Sequence, residues 1–191
     1  MNCARRLPIT WYSPASMCVA NEEYVIGPLG EQHNRAAFRC ADHHITNYFR
    51  RHALVNMQSR IATVWVLHDP NADRVIGFYA LSTASVDFDA VPPEFTARLP
   101  RYPLPVVLLG RMGVDRRYEG QGFGRWLVVN ALMRVYQQDV MAAYAMIVDP
   151  KEGVRDFYLN KFGFIPLVNN PNRLFLHLQS FINSLSAPSS L

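Results

Sequence analysis

The stretch Val106-Val107-Leu108-Leu109-Gly110-Arg111-Met112-Gly113-Val114 constrains the fold most, because it is too continuously apolar for a strand with one wet face. It must be a central strand, so helices are needed on both faces of its sheet. Gly110 and Gly113 interrupt the run, and a glycine inside a strand marks a bulge or a close approach of another group. Directly after it, Arg116-Arg117-Tyr118-Glu119-Gly120-Gln121-Gly122-Phe123-Gly124 leads into a helix expected over 122–136. Glycines at alternate positions let backbone N–H groups turn toward one point, and the helix N-terminus adds the positive end of a dipole. That combination suits a pyrophosphate.

Glycine-rich turns from strand to helix also serve dinucleotides, but that reading fails on placement. A dinucleotide loop follows the first strand of a βαβ unit and has an acidic residue roughly 20 residues later. Here the loop follows four expected strands, Tyr24–Pro28, Ile61–Leu67, Val75–Val86 and Val106–Val114, and Asp139 precedes the next strand. Gly-Lys-Ser/Thr, the mark of a nucleotide-triphosphate loop, is missing as well.

The remaining elements fit an α+β domain with a mixed, mostly antiparallel sheet. His33–Cys40 and His43–Asn56 read as helices, the second from the near-helical spacing of Ile45, Tyr48, Phe49, His52 and Leu54. Residues 68–73 turn the second strand into the third. Five prolines between Asp87 and Pro105 leave room only for a short helix over 93–99, so this stretch reads as a substrate-side excursion. The 122–136 helix carries Arg125, Asn130, Arg134 and Gln137 as a polar face, while Trp11, Trp65 and Trp126 read as packing residues. Ala142–Val148 is a further buried strand, and Asp149-Pro150-Lys151-Glu152 opens a helix with Asp at the N-cap, Pro at N1 and Glu at N3. Gly163 ends it, and Leu174–Leu178 closes the sheet. The expected organisation is an extension over 1–23, one domain over 24–180 and a flexible tail over 181–191.

Charged residues at 18% and apolar residues at 50% exclude a disordered chain. Of the 19 basic residues, only Lys151 and Lys161 are lysine, leaving 17 arginines. An Arg-rich composition follows equally from a G+C-rich genome and from a need to grip phosphates with a planar fork. Position is more informative. Arg35, Arg39, Arg50, Arg51 and Arg60 face two acids between 31 and 60, and Arg98, Arg101, Arg111, Arg116 and Arg117 face one between 98 and 117. Two such clusters suit a polyanion, although solvated faces produce the same pattern. Cys3, Cys18 and Cys40 have no paired spacing, and the spacing of His33, His43, His44 and His52 matches no common metal site, so no metal is expected. Pro8, Thr10, Ser13 and Pro14 break the apolar run a secretory signal would need, and no run reaches the roughly 18 residues of a membrane span. A soluble, cytoplasmic protein is expected.

With the strand, the Gly120-x-Gly122-x-Gly124 loop and its helix in place, the chain resembles the GNAT superfamily of acetyltransferases, whose corresponding motif binds acetyl-CoA. Gly163-Phe164 after Phe157-Tyr158 is similar to the superfamily's last helix and strand, and the element order matches from Tyr24 to Leu178. Leu109 to Asp115, Phe38-Arg39-Cys40 and Asn47-Tyr48-Phe49-Arg50-Arg51 resemble the toxins of toxin–antitoxin pairs, which acetylate the amine of aminoacyl-tRNA and stop translation. The resemblance implies a splay between the two central parallel strands, an aminoacyl-tRNA acceptor, a ribbon-helix-helix antitoxin and a homodimer. It also implies that Met112, Gly113, Val114, Arg116, Arg117, Glu119, Gly120, Gln121, Gly122, Phe123, Gly124 and Arg125 bind the cofactor, and that Tyr158 is the general acid. Glu119 departs from the Gln or Arg usual there, and Ala41 from the Gly common after the cysteine.

Acetyl transfer from a thioester to an amine needs a neutral nucleophile, a polarised carbonyl and a proton for the departing thiolate. By the resemblance, backbone N–H groups near Met112–Val114 polarise the carbonyl and Tyr158 supplies the proton. The strand 106–114 holds no Glu, Asp or His to act as a strong base. An α-amine, with a reference pKa of about 7.7 to 8.0, needs little help, whereas a lysine amine near 10.4 does. The acceptor is therefore read as an α-amine, with Arg35, Arg39, Arg50, Arg51, Arg98, Arg101 and Arg111 as candidate tRNA contacts. Two alternatives remain open: an acetyltransferase of a small amine or protein N-terminus, and a non-catalytic acyl-CoA-binding regulator.

Overall fold

The computed structural model describes residues 24–138 and 141–186. Seven strands form one sheet: β1 (Val25–Pro28), β2 (Thr63–Asp69), β3 (Arg74–Val86), β4 (Leu104–Val114), β5 (Ala145–Val148), β6 (Ile165–Pro166) and β7 (Leu174–His177). Their spatial order is β1-β2-β3-β4-β5-β7-β6, and every pairing is antiparallel except β4 with β5. The single parallel pair lies at the centre because its crossover helix, α4 (Phe123–Gln137), must pack back over the sheet.

Period-two alternation divides the side chains between two faces. Tyr79, Leu81, Val107, Leu109, Met146 and Val148 pack with Leu127, Ala131 and Val135 of α4, with Tyr158 and Phe162 of α5 (Arg155–Phe162), and with Phe181 of α6 (Leu178–Ser186). On the other face Val64, Val66, Phe78 and Ala80 pack with Phe49 of α1 (His43–Arg51) and Ala53 of α2 (Ala53–Gln58). Further along that face, Val86, Val106 and Ile147 meet Val91 and Phe95, the latter on the short helix α3 (Pro93–Thr96). Helices thus cover both faces, as the apolar run in β4 requires. Among the described residues no helix is long and apolar enough to cross a membrane.

Gly110 sits in a bulge: Ala80 faces Arg111 while the next residue, Leu81, faces Leu109. Gly113 meets the second expectation for a strand glycine, since a Cβ there would lie 2.9 Å from Ile45 Cγ2 and 3.3 Å from Phe78. Only glycine lets α1 settle this close to β4.

Four local expectations are corrected. Residues 33–40 form turns, not a helix. The Gly30 N–H donates to His33 Nδ1 and the Asn34 side chain takes the Ala37 N–H, competing with helical bonds, while Phe38 is drawn fully into the core. His33 is accordingly buried. The second helix divides at His52 into α1 and α2. The helix carrying Tyr158 begins at Arg155, not at Pro150, because Gly153 adopts φ +83 and the Asp149 carboxylate is held by the Arg173 fork at 2.7 Å. Finally, residues 181–186 belong to α6, whose Leu178 and Phe181 are buried on the main core; residues 187–191, like Trp11 and the 1–23 extension, lie outside the described residues.

The supposed polar face of α4 is only partly wet. Arg125 and Gln137 are exposed, whereas Asn130 is buried and accepts a 2.6 Å hydrogen bond from the Tyr79 hydroxyl. Arg134 donates to that hydroxyl at 3.3 Å and lies 3.3 Å over the Trp65 ring. Asn130→Ala leaves a buried hydroxyl proton without its acceptor and should cost about 1 to 3 kcal/mol, read as a lower urea midpoint. The Tyr79→Phe/Asn130→Ala pair should lose less than the two single losses added together.

Candidate active site

β4 pairs with β3 along its whole length, as far as Gly77 opposite Val114, but with β5 only from Val106 to Leu108. Past Leu108 the two parallel strands diverge, and the β5-facing edge of β4 through Val114 is released from the ladder. Met112, Gly113 and Val114 lie on this stretch and are half-buried. Backbone groups on this edge of β4 are left without a strand partner beyond Leu108.

β4 runs into Asp115, whose side chain is 1% exposed as a residue and accepts four hydrogen bonds. These come from the backbone N–H of Arg39 at 2.9 Å, the N–H of Arg117 at 3.1 Å, and the Arg117 guanidinium at 2.7 and 3.0 Å. Burial opposes its charge, yet the Arg117 fork and the two N–H groups outweigh that and hold the carboxyl below the usual carboxylate range. The Arg39 carbonyl in turn accepts the Arg116 N–H at 2.8 Å. Asp115 therefore clamps the 39–41 segment to the start of the glycine loop.

A tight turn over Arg116–Tyr118 leads into that loop, in which Gly120 has φ +74 and Gly122 φ +89. Both are in the left-handed region that glycine alone enters without strain. Gly122 is the N-cap of α4 and no side chain caps the helix, so its first N–H groups remain available to an anion. Gly124 is different: it lies within the first turn of α4, and a Cβ there would sit at 3.7 Å from Phe157, an ordinary contact. Its neighbour Phe157 shows that α5 packs against this loop.

The other expected cofactor residues are spread unevenly. Arg116 is exposed and reaches the Ala41 carbonyl at 3.4 Å, so its guanidinium is largely free. Arg117 is committed to Asp115. Gln121 donates to the Arg117 carbonyl at 3.2 Å, and Phe123 packs edge-on against Tyr24 and Tyr118. Glu119 and Arg125 are exposed.

Tyr158 on α5 is 4% exposed and is surrounded by Phe157, Phe162 and Phe164 at ring distances of 5.2, 6.5 and 5.5 Å. No residue among those described hydrogen-bonds its hydroxyl. Burial pushes the phenol above its ordinary value, which keeps it protonated throughout the neutral range.

The candidate tRNA arginines separate. Arg98 and Arg101 stand at the N-terminal end of β4, and Arg101 is already paired with Asp89 at 2.7 Å. At about 3.3 Å per residue the 11-residue strand carries them about 30 Å from the glycine loop. Arg111 instead joins the first group, lying 5.6 Å over the ring of Tyr48 on α1. Arg39 and Arg51 are exposed, whereas Arg35 and Arg50 are half-buried. One pair was illegible in the sequence: Asp42, the N-cap of α1, meets Lys151 of the β5–α5 connection. The Lys151 ammonium lowers the Asp42 carboxyl to about 2. This ion pair bridges the two sides of the splay.

Splay, uncapped glycine turn and phenol-bearing helix together are an acyl-CoA architecture, and residues 31–164 match the family described as Acetyltransferase (GNAT) family. The chain belongs to the GNAT acetyltransferases. Its GNAT relatives include a protein named "Probable toxin TacT" from Sinorhizobium fredii, 28% identical over 162 residues, spanning 80% of this chain and 90% of that one. A "tRNA-acetylating toxin" from Mycobacterium tuberculosis is 32% identical over 142 residues, spanning 73% of this chain and 83% of its own. Among solved structures, "AtaT complexed with acetyl-methionyl-tRNAfMet" superposes with a TM-score of 0.79 at 25% identity, covering 86% of this chain and all of that one.

The residues present fit acetyl-CoA, the donor that this GNAT enzyme uses to acetylate an amine. The left-handed glycines and uncapped N–H groups offer the donors a pyrophosphate would need, and the edge of β4 beyond Leu108 is free of a strand partner on the β5 side. Gly122→Ala imposes strain of about 1 to 2 kcal/mol on the loop, so acetyl-CoA should bind about 5- to 30-fold more weakly by calorimetry. The clamp has a pH signature. Because the Asp115 pKa is lowered from 3.8 in the folded state, its stabilisation is complete above about pH 4 and is lost as pH falls through the lowered value. Asp115→Asn should remove that part of the acid-unfolding transition.

Proposed function

We propose that this chain acetylates the α-amine of aminoacyl-tRNA, acting as the toxin of a toxin–antitoxin pair that blocks translation. The observation that carries the reading is the splay flanked by Tyr158 on one side and by a group of arginines, Arg39, Arg50, Arg51, Arg111 and Arg116, on the other. The names of the relatives agree with it. In this reading the domain expected over 24–180, extended to 186 by α6, is the catalytic unit, the protein works in the cytoplasm, and a homodimer bound by a ribbon-helix-helix antitoxin is its resting form.

Each step has a group to perform it. Acetyl-CoA supplies the activated acyl group. N–H groups at the start of α4 and the side chain of Arg116 hold its phosphates, with the backbone of Glu119 to Gly124 shaping the turn. Backbone N–H groups near Met112–Val114 donate to the thioester oxygen as it gains charge. The acceptor enters as a neutral α-amine, so β4 needs no carboxylate or imidazole to deprotonate it. Tyr158, kept protonated by its aromatic surroundings, donates to the sulfur as the C–S bond breaks, and the proton shed by the amine leaves to solvent.

Tyr158→Phe should lower kcat by about 10² to 10⁴ with acetyl-CoA affinity unchanged, since a positioned acid contributes on that scale. Full turnover by this variant would remove Tyr158 from the mechanism. The acceptor is tested by incubating the protein with acetyl-CoA and total aminoacyl-tRNA, then releasing the amino acids for mass analysis. N-acetylated amino acids are expected. Their absence, with acetylation of small amines or peptide N-termini retained, would leave a general N-acetyltransferase; acetylation of no amine would leave an acyl-CoA-binding regulator.

A further inference from the structure

Between the β1–α1 connection and α1 lies a cavity of about 380 Å³ lined by His33, Asn34, Arg35, Ala36 and Arg50. Two guanidinium groups border it. Arg35 donates through Nη1 to the Arg50 carbonyl at 3.3 Å, and Arg50 donates through Nε to the carbonyl of the fully buried Phe38 at 2.9 Å. Those bonds fix both side chains in place but neutralise neither. Among the described residues no carboxylate pairs with Arg35 or Arg50. Arg35 Nε and Arg50 Nη2 are buried with no acceptor at all. Buried donors are rarely left unpaired and buried charge is costly without a counter-ion, so this pair is poised for an anion.

We infer that the Arg35–Arg50 cavity is a phosphate subsite for the single-stranded 3′ end of the acceptor RNA. Its place on the fold selects this ligand over an acidic peptide. Ile45 of α1 touches Gly113 beside the splay, and at 1.5 Å per residue Arg50 lies about 8 Å further along the same helix. Consecutive phosphates of a single strand lie several ångströms apart, so an RNA with its terminal amine in the splay brings one of its last few phosphates within reach of Arg50. A peptide side chain has no such tether to the reacting end. Arg35 and Arg50 grip one phosphate from an open, partly buried depression, while exposed Arg39, Arg51 and Arg111 meet the strand along its surface. This subsite rests on the aminoacyl-tRNA reading, and a binding measurement separates the two.

The test uses the full chain and two variants, Arg35→Gln and Arg50→Lys, the second keeping the charge while removing the fork. A fluorescent RNA ending in CCA is titrated at several salt concentrations, and turnover is followed on charged tRNA and on amino-acid methyl esters. Each variant should bind the RNA at least 10-fold more weakly, and Arg35→Gln should lower the salt slope by about one phosphate contact. KM for charged tRNA should rise while ester acetylation stays unchanged in variants that remain folded at the assay temperature. Equal RNA affinity in variants and wild type overturns the subsite, as does an equal loss on tRNA and ester. Loss of hepta-glutamate binding with RNA affinity intact overturns it in favour of a peptide. RNA binding that depends on both arginines in a protein that does not acetylate charged tRNA upholds the subsite and refutes only the proposed reaction.

Discussion

The site depends on one buried carboxylate. Asp115 follows β4 at the point where the strand has left its parallel neighbour, and its four side-chain hydrogen bonds together with its own backbone N–H tie together three segments that the chain makes separately. Through the Arg39 N–H it holds the approach to α1, through Arg117 it holds the turn before the glycine loop, and its own N–H donates to Ile76 of β3 at 2.8 Å. A charge this buried is tolerable because its oxygens are used by N–H donors, two of them from a planar fork. The consequence is division of labour between adjacent arginines: Arg117 is committed to the clamp, and the exposed Arg116 guanidinium carries no ion pair.

From that clamp the two halves of the cleft follow. On the β4 side a strand released from its ladder offers backbone donors, and a loop with two left-handed glycines feeds an uncapped helix. On the β5 side, α5 brings Tyr158 into an aromatic cage that is apolar enough to keep a phenol neutral but supplies it with no internal partner. Both half-sites use groups whose hydrogen bonding is incomplete in the protein alone, which is the physical condition for binding and turning over a polar ligand. The Asp42–Lys151 pair spans the opening at the same end, so an ion pair borders the access to it.

Charge is distributed by the same logic. In sequence, Arg98 to Arg117 looks like one basic cluster, but β4 is long enough to divide it, leaving Arg98 and Arg101 at the far end of the sheet. The bulge at Gly110 and the close seat of α1 at Gly113 bring Arg111 to Tyr48, so the basic surface around the splay is built from α1 and the end of β4. Proximity along the chain was a poor guide because an extended strand separates its ends by tens of ångströms.

The sequence by itself determined the architecture and the cofactor motif. An apolar run that tolerates no wet face demands a central strand, glycines at alternate positions before an amphipathic helix demand a phosphate turn, and both are local properties of the chain. It also carried the aromatic pair with Tyr158 and the lack of a base on β4. Local signals misled where distant partners won: residues 33–40 gave up a helix to place Phe38 in the core, Asp149 left its capping position for Arg173, and 181–186 became helical because Phe181 had a core to cover. Tertiary structure alone decided that Arg117 clamps while Arg116 is free, that Asn130 faces Tyr79, that Asp42 meets Lys151, and that Arg35 and Arg50 share a cavity. The last three are pairings across 15 to 109 residues. Side-chain periodicity reports which face a residue occupies, not which distant residue will stand opposite it once the sheet has twisted and the strands have parted.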